Sequence, residues 1–321
     1  MNPDARRWRS ALLLNIGAVV TWSMAPSMIR AIAGSFPVNF QNSARYLVSL
    51  VVLWPVLFLS TDRARRRDHL RTLRARAGRI VVIALVNYAF QVCYTYSLFL
   101  VTPSVQTLVS QTQVLFGVLF ALLLFRDERE FVKGAFFLVG LCLALAGVAL
   151  VIVGGASFGT PEFGIGVLVV VASAFSWALL GSLLRAWVPD VPALFSITAV
   201  FTVVTPLFIA TYAVVHQGLP IPSAPALHWL ILISSGLLAI GLGHSLFYKA
   251  VQVLGVSLST SINLLTPLLA SVISYIVYGE RLTTVQLAGA VVLIGGSYMV
   301  VRARFRSGAG RGLKERSRIG E

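Results

Sequence analysis
Ten stretches of mostly apolar residues, each long enough to cross a bilayer, decide what this chain can fold into. A spanning helix needs about 20 such residues. The stretches lie near 11–30, 38–60, 79–100, 103–125, 132–154, 164–185, 192–216, 226–248, 256–278 and 285–303. They are continuous rather than alternating, which excludes a membrane β-barrel. In lipid every backbone group must find its partner within the segment, so the stretches read as helices. Only Val101-Thr102-Pro103 parts the third from the fourth. Proline lacks a donor and suits a first helical turn, so a tight turn is expected there. Charged residues make up 12% of the chain against 57% hydrophobic. A soluble fold needs roughly a quarter charged. The expectation is an all-α integral membrane protein in a lipid bilayer.

The net charge of +15 raises the question of nucleic acid. Its distribution answers against that partner, because the cations cluster between apolar runs and so read as topology signals. With both termini cytoplasmic, 23 of the 26 Lys and Arg residues fall inside. Eight of these lie in the 61–79 loop, from Arg63 to Arg79, and seven in the tail from Arg302 to Arg318. Arg30 and Arg281 fall outside, and Arg45 lies within the second helix. A missed or extra helix would break this agreement. The loop and tail also have the composition that attracts anionic lipid, although topology alone accounts for them. Arg6, Arg7 and Arg9 precede the first run with no cleavage site of small residues, so that run reads as a retained helix of the cell (inner or plasma) membrane. Cys93 and Cys142 sit inside apolar runs without metal-ligand spacing, and they read as packing residues. No metal or cofactor is implied, and nothing marks the oligomeric state.

The chain repeats itself. Thr21-Trp22, Ser27 and Arg30-Ala31 recur as Ser176-Trp177, Ser182 and Arg185-Ala186, offset by 155 positions. Pro37-x-x-Phe40 and Pro192-x-x-Phe195 keep that offset. Gly140 and Gly147 match the spacing of Gly289 and Gly296. Each half therefore holds five helices, and an odd number forces the halves into opposite orientation, a construction common in secondary transporters. The expected organisation is a segment 1–10, a first five-helix repeat 11–154, a linker 155–163, a second repeat 164–303 and a basic tail 304–321.

Ten helices, the paired Trp-containing first and sixth, and Tyr278-Gly279-Glu280-Arg281-Leu282-Thr283 followed by Gln286 and Gly289 resemble the EamA type of the drug/metabolite transporter superfamily. Pro267 and Arg45 fit the same pattern, and the likeness covers residues 11–303. The first half departs from it, with Arg126-Asp127-Glu128-Arg129-Glu130 in place of the usual Gly-Glu. The resemblance implies a central cavity between the halves and a role in exporting or exchanging amino acids, other metabolites or drugs.

Transport needs polar groups facing the bundle interior. Three faces at helical spacing supply them: Asn87, Gln91 and Tyr94; Gln106, Ser110 and Gln113; Ser259, Asn263 and Thr266. His244 and Tyr248 are one turn apart, and Trp22 and Trp177 offer aromatic walls in mid-helix. Neutral donors and acceptors of this kind suit a zwitterionic or neutral polar solute. They also join helices to one another, and both readings stand at this point. Arg45 has two readings as well: pairing a substrate carboxylate, or snorkelling and bonding helix-end carbonyls. All eleven acidic residues fall in loops, tails or helix ends, so no embedded carboxylate is available to relay protons. His244 is the one embedded titratable candidate.

An enzyme is not expected, since no metalloprotease, nucleophile-elbow or P-loop motif occurs. No selectivity signature of a channel is visible. The reading is a secondary transporter of a small organic solute, an amino acid or related metabolite, by export or exchange. The alternatives are a proton-coupled drug efflux carrier and a non-transporting receptor or scaffold.

Overall fold
The computed structural model describes residues 3–124, 134–155 and 157–319. Its elements are helices α1 (Pro3–Ala31), α2 (Val38–Ser60), α3 (Arg63–Ala75), α4 (Ala77–Leu100), α5 (Pro103–Val109), α6 (Thr112–Leu124), α7 (Ala135–Val153), α8 (Pro161–Trp187), α9 (Ala193–Val215) and α10 (Ala226–Ser235), a π-helical segment (Gly236–Leu242), then α11 (Gly243–Asn263), α12 (Thr266–Tyr278) and α13 (Thr284–Ile319). Among the described residues, ten spans are long and apolar enough to cross a membrane. Leu13, Val51, Leu59, Leu168 and Ile276 stand exposed on the outside, as an apolar solvent requires.

Prolines set many of the helix starts. Pro103 and Pro161 occupy first turns, where their missing N–H costs nothing, and Pro37, Pro192 and Pro225 precede α2, α9 and α10. Gly279, at φ 66°, ends α12 in the left-handed conformation that glycine adopts without strain. The 61–79 segment, expected as a loop, contains a 13-residue helix, α3. Asp62 caps it by accepting from the Arg65 N–H at 2.9 Å, and Leu73 is its buried anchor. The Arg126–Glu130 run and Lys133 lie outside the described residues.

The packing has the symmetry of the repeat. The third and sixth spans (α4 and α8) pack together, and so do the eighth and first (α10, the π-helical segment and α11 with α1), α11 bending at Gly255 to carry the end of the eighth span and the start of the ninth. The fourth and sixth (α6 and α8) have their counterpart in the ninth and first (α12 and α1). The second pairs with the seventh (α2 and α9), and the fifth with the tenth (α7 and α13). Advancing every span by five turns this set of contacts into itself, which is the signature of a twofold relation between halves. Two inverted five-helix repeats satisfy it.

The recurrent glycines explain the closest of these pairs. A Cβ on Gly147 would lie 2.4 Å from the Leu293 backbone nitrogen, and one on Gly296 would lie 2.3 Å from that of Ala144. Gly140 meets Gly296 O at 3.0 Å and Gly289 meets Gly147 O at 2.9 Å in the same test. Backbone packs on backbone here, as small residues permit between helices in lipid.

Candidate functional site
Two breaks position the site. The fourth span is interrupted at Ser110–Gln111, between α5 and α6, and the ninth at Leu264–Leu265, between α11 and α12. The interruptions sit 154 positions apart, at matching places in the two halves. Both are made the same way: Gln111 N–H bonds Leu108 O at 3.1 Å and Leu265 N–H bonds Ile262 O at 3.0 Å, a tighter three-residue step in place of the α-helical one. The backbone stays right-handed at Ser110, Leu264 and Leu265, so each break is a local tightening of the span, placed alike in the two halves.

A cavity of about 920 Å³ lies at these breaks. Ser110, Gln111 and Gln113 line it from one, and Asn263, Leu264 and Thr266 from the other. Trp22, Arg45, Gln91, Tyr94, Gln106, Trp177, Phe201, His244 and Phe247 also line it, and the wall is mainly apolar. The cavity reaches Ala121, Arg185 and Val301, near the ends of spans that finish at the face carrying the chain termini.

The eighth span shapes one wall. Its π-helical segment exists where three glycines let other helices close in. A Cβ on Gly236 would lie 2.6 Å from Arg45 O, one on Gly241 3.0 Å from Val52, and one on Gly243 2.6 Å from Trp22 Nε1. Trp22 Nε1 donates to Ala239 O at 2.9 Å. His244 Nδ1 donates to Ile240 O at 2.9 Å. The His244 ring meets those of Trp22 and Phe201, both at 5.4 Å, and of Trp177 at 6.3 Å.

Eleven of the sequence-predicted residues line this one cavity: Trp22, Arg45, Gln91, Tyr94, Gln106, Ser110, Gln113, Trp177, His244, Asn263 and Thr266. Asn87 and Tyr248 stand behind its wall. Asn87 is fully buried, donating to the Tyr46 hydroxyl at 3.1 Å. It belongs to a polar seam between α2 and α4 in which Thr95 donates to Asn42 Oδ1 at 2.7 Å and Gln91 Nε2 bonds Thr95 at 3.1 Å. Tyr248 packs on His244 and Phe247. Gln111, Phe201 and Phe247 escaped the sequence reading. Gln111 falls off the Gln106–Ser110–Gln113 face of a regular helix and is turned inward by the break itself. Phe201 and Phe247 carry no polar signal.

Eleven buried polar side-chain atoms lack a partner among the described residues, and five belong to cavity residues: Arg45 Nε and Nη1, Gln106 Oε1, His244 Nε2 and Asn263 Oδ1. Each orphan of this kind costs about 1–3 kcal/mol. A second polar cluster joins the halves at the face opposite the termini. Glu280 accepts from Thr102 Oγ1, from Ser104 Oγ at 2.7 Å and from Ser274 Oγ, while Tyr278 donates to Ser27 O at 2.6 Å. Among the described residues no group of His, Cys, Asp and Glu could hold a metal ion.

The EamA-like transporter family model matches residues 9–153 and again 164–302. The chain belongs to the EamA-like transporter family. Two matches in one chain also separate the same two halves that the packing relates. No curated protein sequence matches the chain. A solved crystal structure of a protein is similar in fold, with a TM-score of 0.64 and 17% identity over 93% of this chain and 98% of that one. Membership of the EamA-like family makes this a membrane transporter, embedded in a bilayer and serving a small-molecule solute.

Proposed function
We propose that this protein is a secondary carrier working by alternating access, which moves an amino acid or related metabolite out of the cell or in exchange. The observation that carries this reading is the pair of matching helix breaks around one cavity whose polar groups lack partners. Broken helices offer backbone and side-chain groups to a solute, and two halves rocking about them expose it to each side in turn. The cavity reaches the terminal face, which the arginine bias assigns to the cytoplasm of a cell (inner or plasma) membrane, with both termini inside. The Glu280 and Tyr278 bonds hold the opposite face together and must part when the solute leaves there. Trp22, Gln91, Tyr94, Gln106, Ser110, Gln113, Trp177, His244 and Asn263 form the solute site, with Asn87 and Tyr248 supporting it.

Among the described residues no carboxylate lines the cavity, so facilitation or exchange is the favoured energetics. His244, a cavity residue whose buried Nε2 has no partner among the described residues, supports proton-coupled efflux as the second reading. The test is flux in proteoliposomes holding the purified chain, against labelled amino acids, metabolites and cationic drugs, with and without a pH gradient. Counterflow of amino acids that ignores the gradient is expected. Flux of cationic drugs alone, driven by the gradient and lost in His244→Gln, would replace the first reading with the second. No solute moved by any gradient would favour a receptor.

A further inference from the structure
We infer that Arg45 is the anion-recognition residue of this cavity and that the solute carries a carboxylate, an inference that rests on the carrier reading above. Arg45 is 2% exposed, two turns into α2, and lines the cavity. Its Nε and Nη1 have no partner, and among the described residues no carboxylate pairs with it. A buried cation without a counter-charge is costly, and an embedded one marks a functional site by default.

Other arginines in the fold show what a structural one does. Arg30 Nη1 donates to Leu98 O at 2.7 Å, and Arg76 Nη1 to Trp187 O at 3.1 Å. Among the described residues the Nε and Nη1 of Arg45 find no such carbonyl. The backbone that carries Arg45 is nevertheless fixed. The α2 backbone at Arg45 rests against Gly236 so closely that a Cβ there would lie 2.6 Å from Arg45 O. Tyr46, the next residue, is held by the Asn87 amide. A positioned guanidinium with free N–H groups is a fork for a carboxylate, which it binds through two parallel hydrogen bonds.

The remaining orphans complement it. His244 donates through Nδ1 to Ile240 O, so the neutral ring presents Nε2 as an acceptor. Gln106 donates through Nε2 to Ser110 and leaves Oε1 free, as Asn263 leaves Oδ1. One cationic fork and three neutral acceptors suit a solute with a carboxylate and its own N–H or O–H donors. A bare amine would meet the acceptors but also the uncompensated charge of Arg45.

The wild-type chain supplies the first test. Leucine and phenylalanine, whose apolar side chains fit the cavity wall, are compared with their amides, their decarboxylated amines and their deaminated acids, as competitors of labelled amino-acid flux in proteoliposomes. The acids are expected to compete and the amides and amines to fail. Arg45→Gln is expected to raise KM about 30-fold or more, and Arg45→Lys less, since lysine keeps the charge and loses the fork. Amines competing as well as the parent amino acids, or Arg45→Gln keeping the wild-type preference, would overturn the inference and leave the carrier reading intact. The melting temperature of the purified chain with the same compounds separates the two in the other direction. Stabilisation by the acids and not the amines, lost in Arg45→Gln, supports Arg45 even where no flux is found. No stabilisation by any carboxylate together with no flux would sink both.

Discussion
Trp22 donates its indole N–H to Ala239 O in the π-helical segment and packs its ring on His244 and Phe247, so it joins α1 to the wall it helps to form. Trp22→Phe keeps most of the ring and removes the donor. We expect it to cost about 1 kcal/mol of stability, the net worth of one hydrogen bond, and to lower flux by loosening the segment. A melting curve and an initial rate on the same preparation check both parts. His244→Gln keeps a polar group at the cavity and removes the titratable ring. It is expected to leave the pH profile of flux unchanged, and a profile flattened by the substitution would make His244 a proton carrier. The Arg76–Asp190 ion pair, at 2.6 Å, belongs to a different class. Asp190 is 64% exposed, so water screens the pair, and Asp190→Asn is expected to change stability by less than about 1 kcal/mol in a chemical melt.

Elements tell which parts of the structure a sequence can disclose. The spans were legible because lipid demands long apolar runs, and the recurrence of Trp22 and Trp177 exposed the halves. The faces at Gln106 and Ser110 and at Asn263 followed from helical spacing. Only one of the two breaks was legible. Pro267 follows one of them, but Thr112 stands near the corresponding place in the first half, and threonine carries no such signal. The π-helical segment was equally silent, because it depends on α1 and α2 reaching Gly243 and Gly236 from elsewhere in the chain. Asn87 shows the same limit from the other side. Periodicity places it beside Gln91 and Tyr94, but only packing decides that it turns to Tyr46. Two glycines test the elements. Gly147→Val puts a branched side chain where even a Cβ would lie 2.4 Å from the Leu293 backbone, and we expect α7 and α13 to part at a cost of about 1–3 kcal/mol, read as a lowered melting temperature. Gly236→Ala presses on Arg45 O and is expected to raise KM for a carboxylate solute more than it lowers the melting temperature.

For the whole molecule, the relation between halves is what turns a cavity into a carrier. Span packing maps onto itself when advanced by five, and the helix breaks fall on both sides of the site. A structure with the cavity reaching one face therefore has, in its own symmetry, the alternative with the halves exchanged. In this arrangement the cavity extends toward the terminal face as far as Arg185 and Val301, and Glu280 and Tyr278 bind the other. Alternating access is tested by replacing Cys93 and Cys142 with serine, introducing Ser110→Cys at the break, and measuring its reaction with an impermeant thiol reagent applied to each face in turn. The carrier reading predicts labelling from both faces, with solute shifting the two rates in opposite directions. Labelling from one face alone under every condition would contradict it.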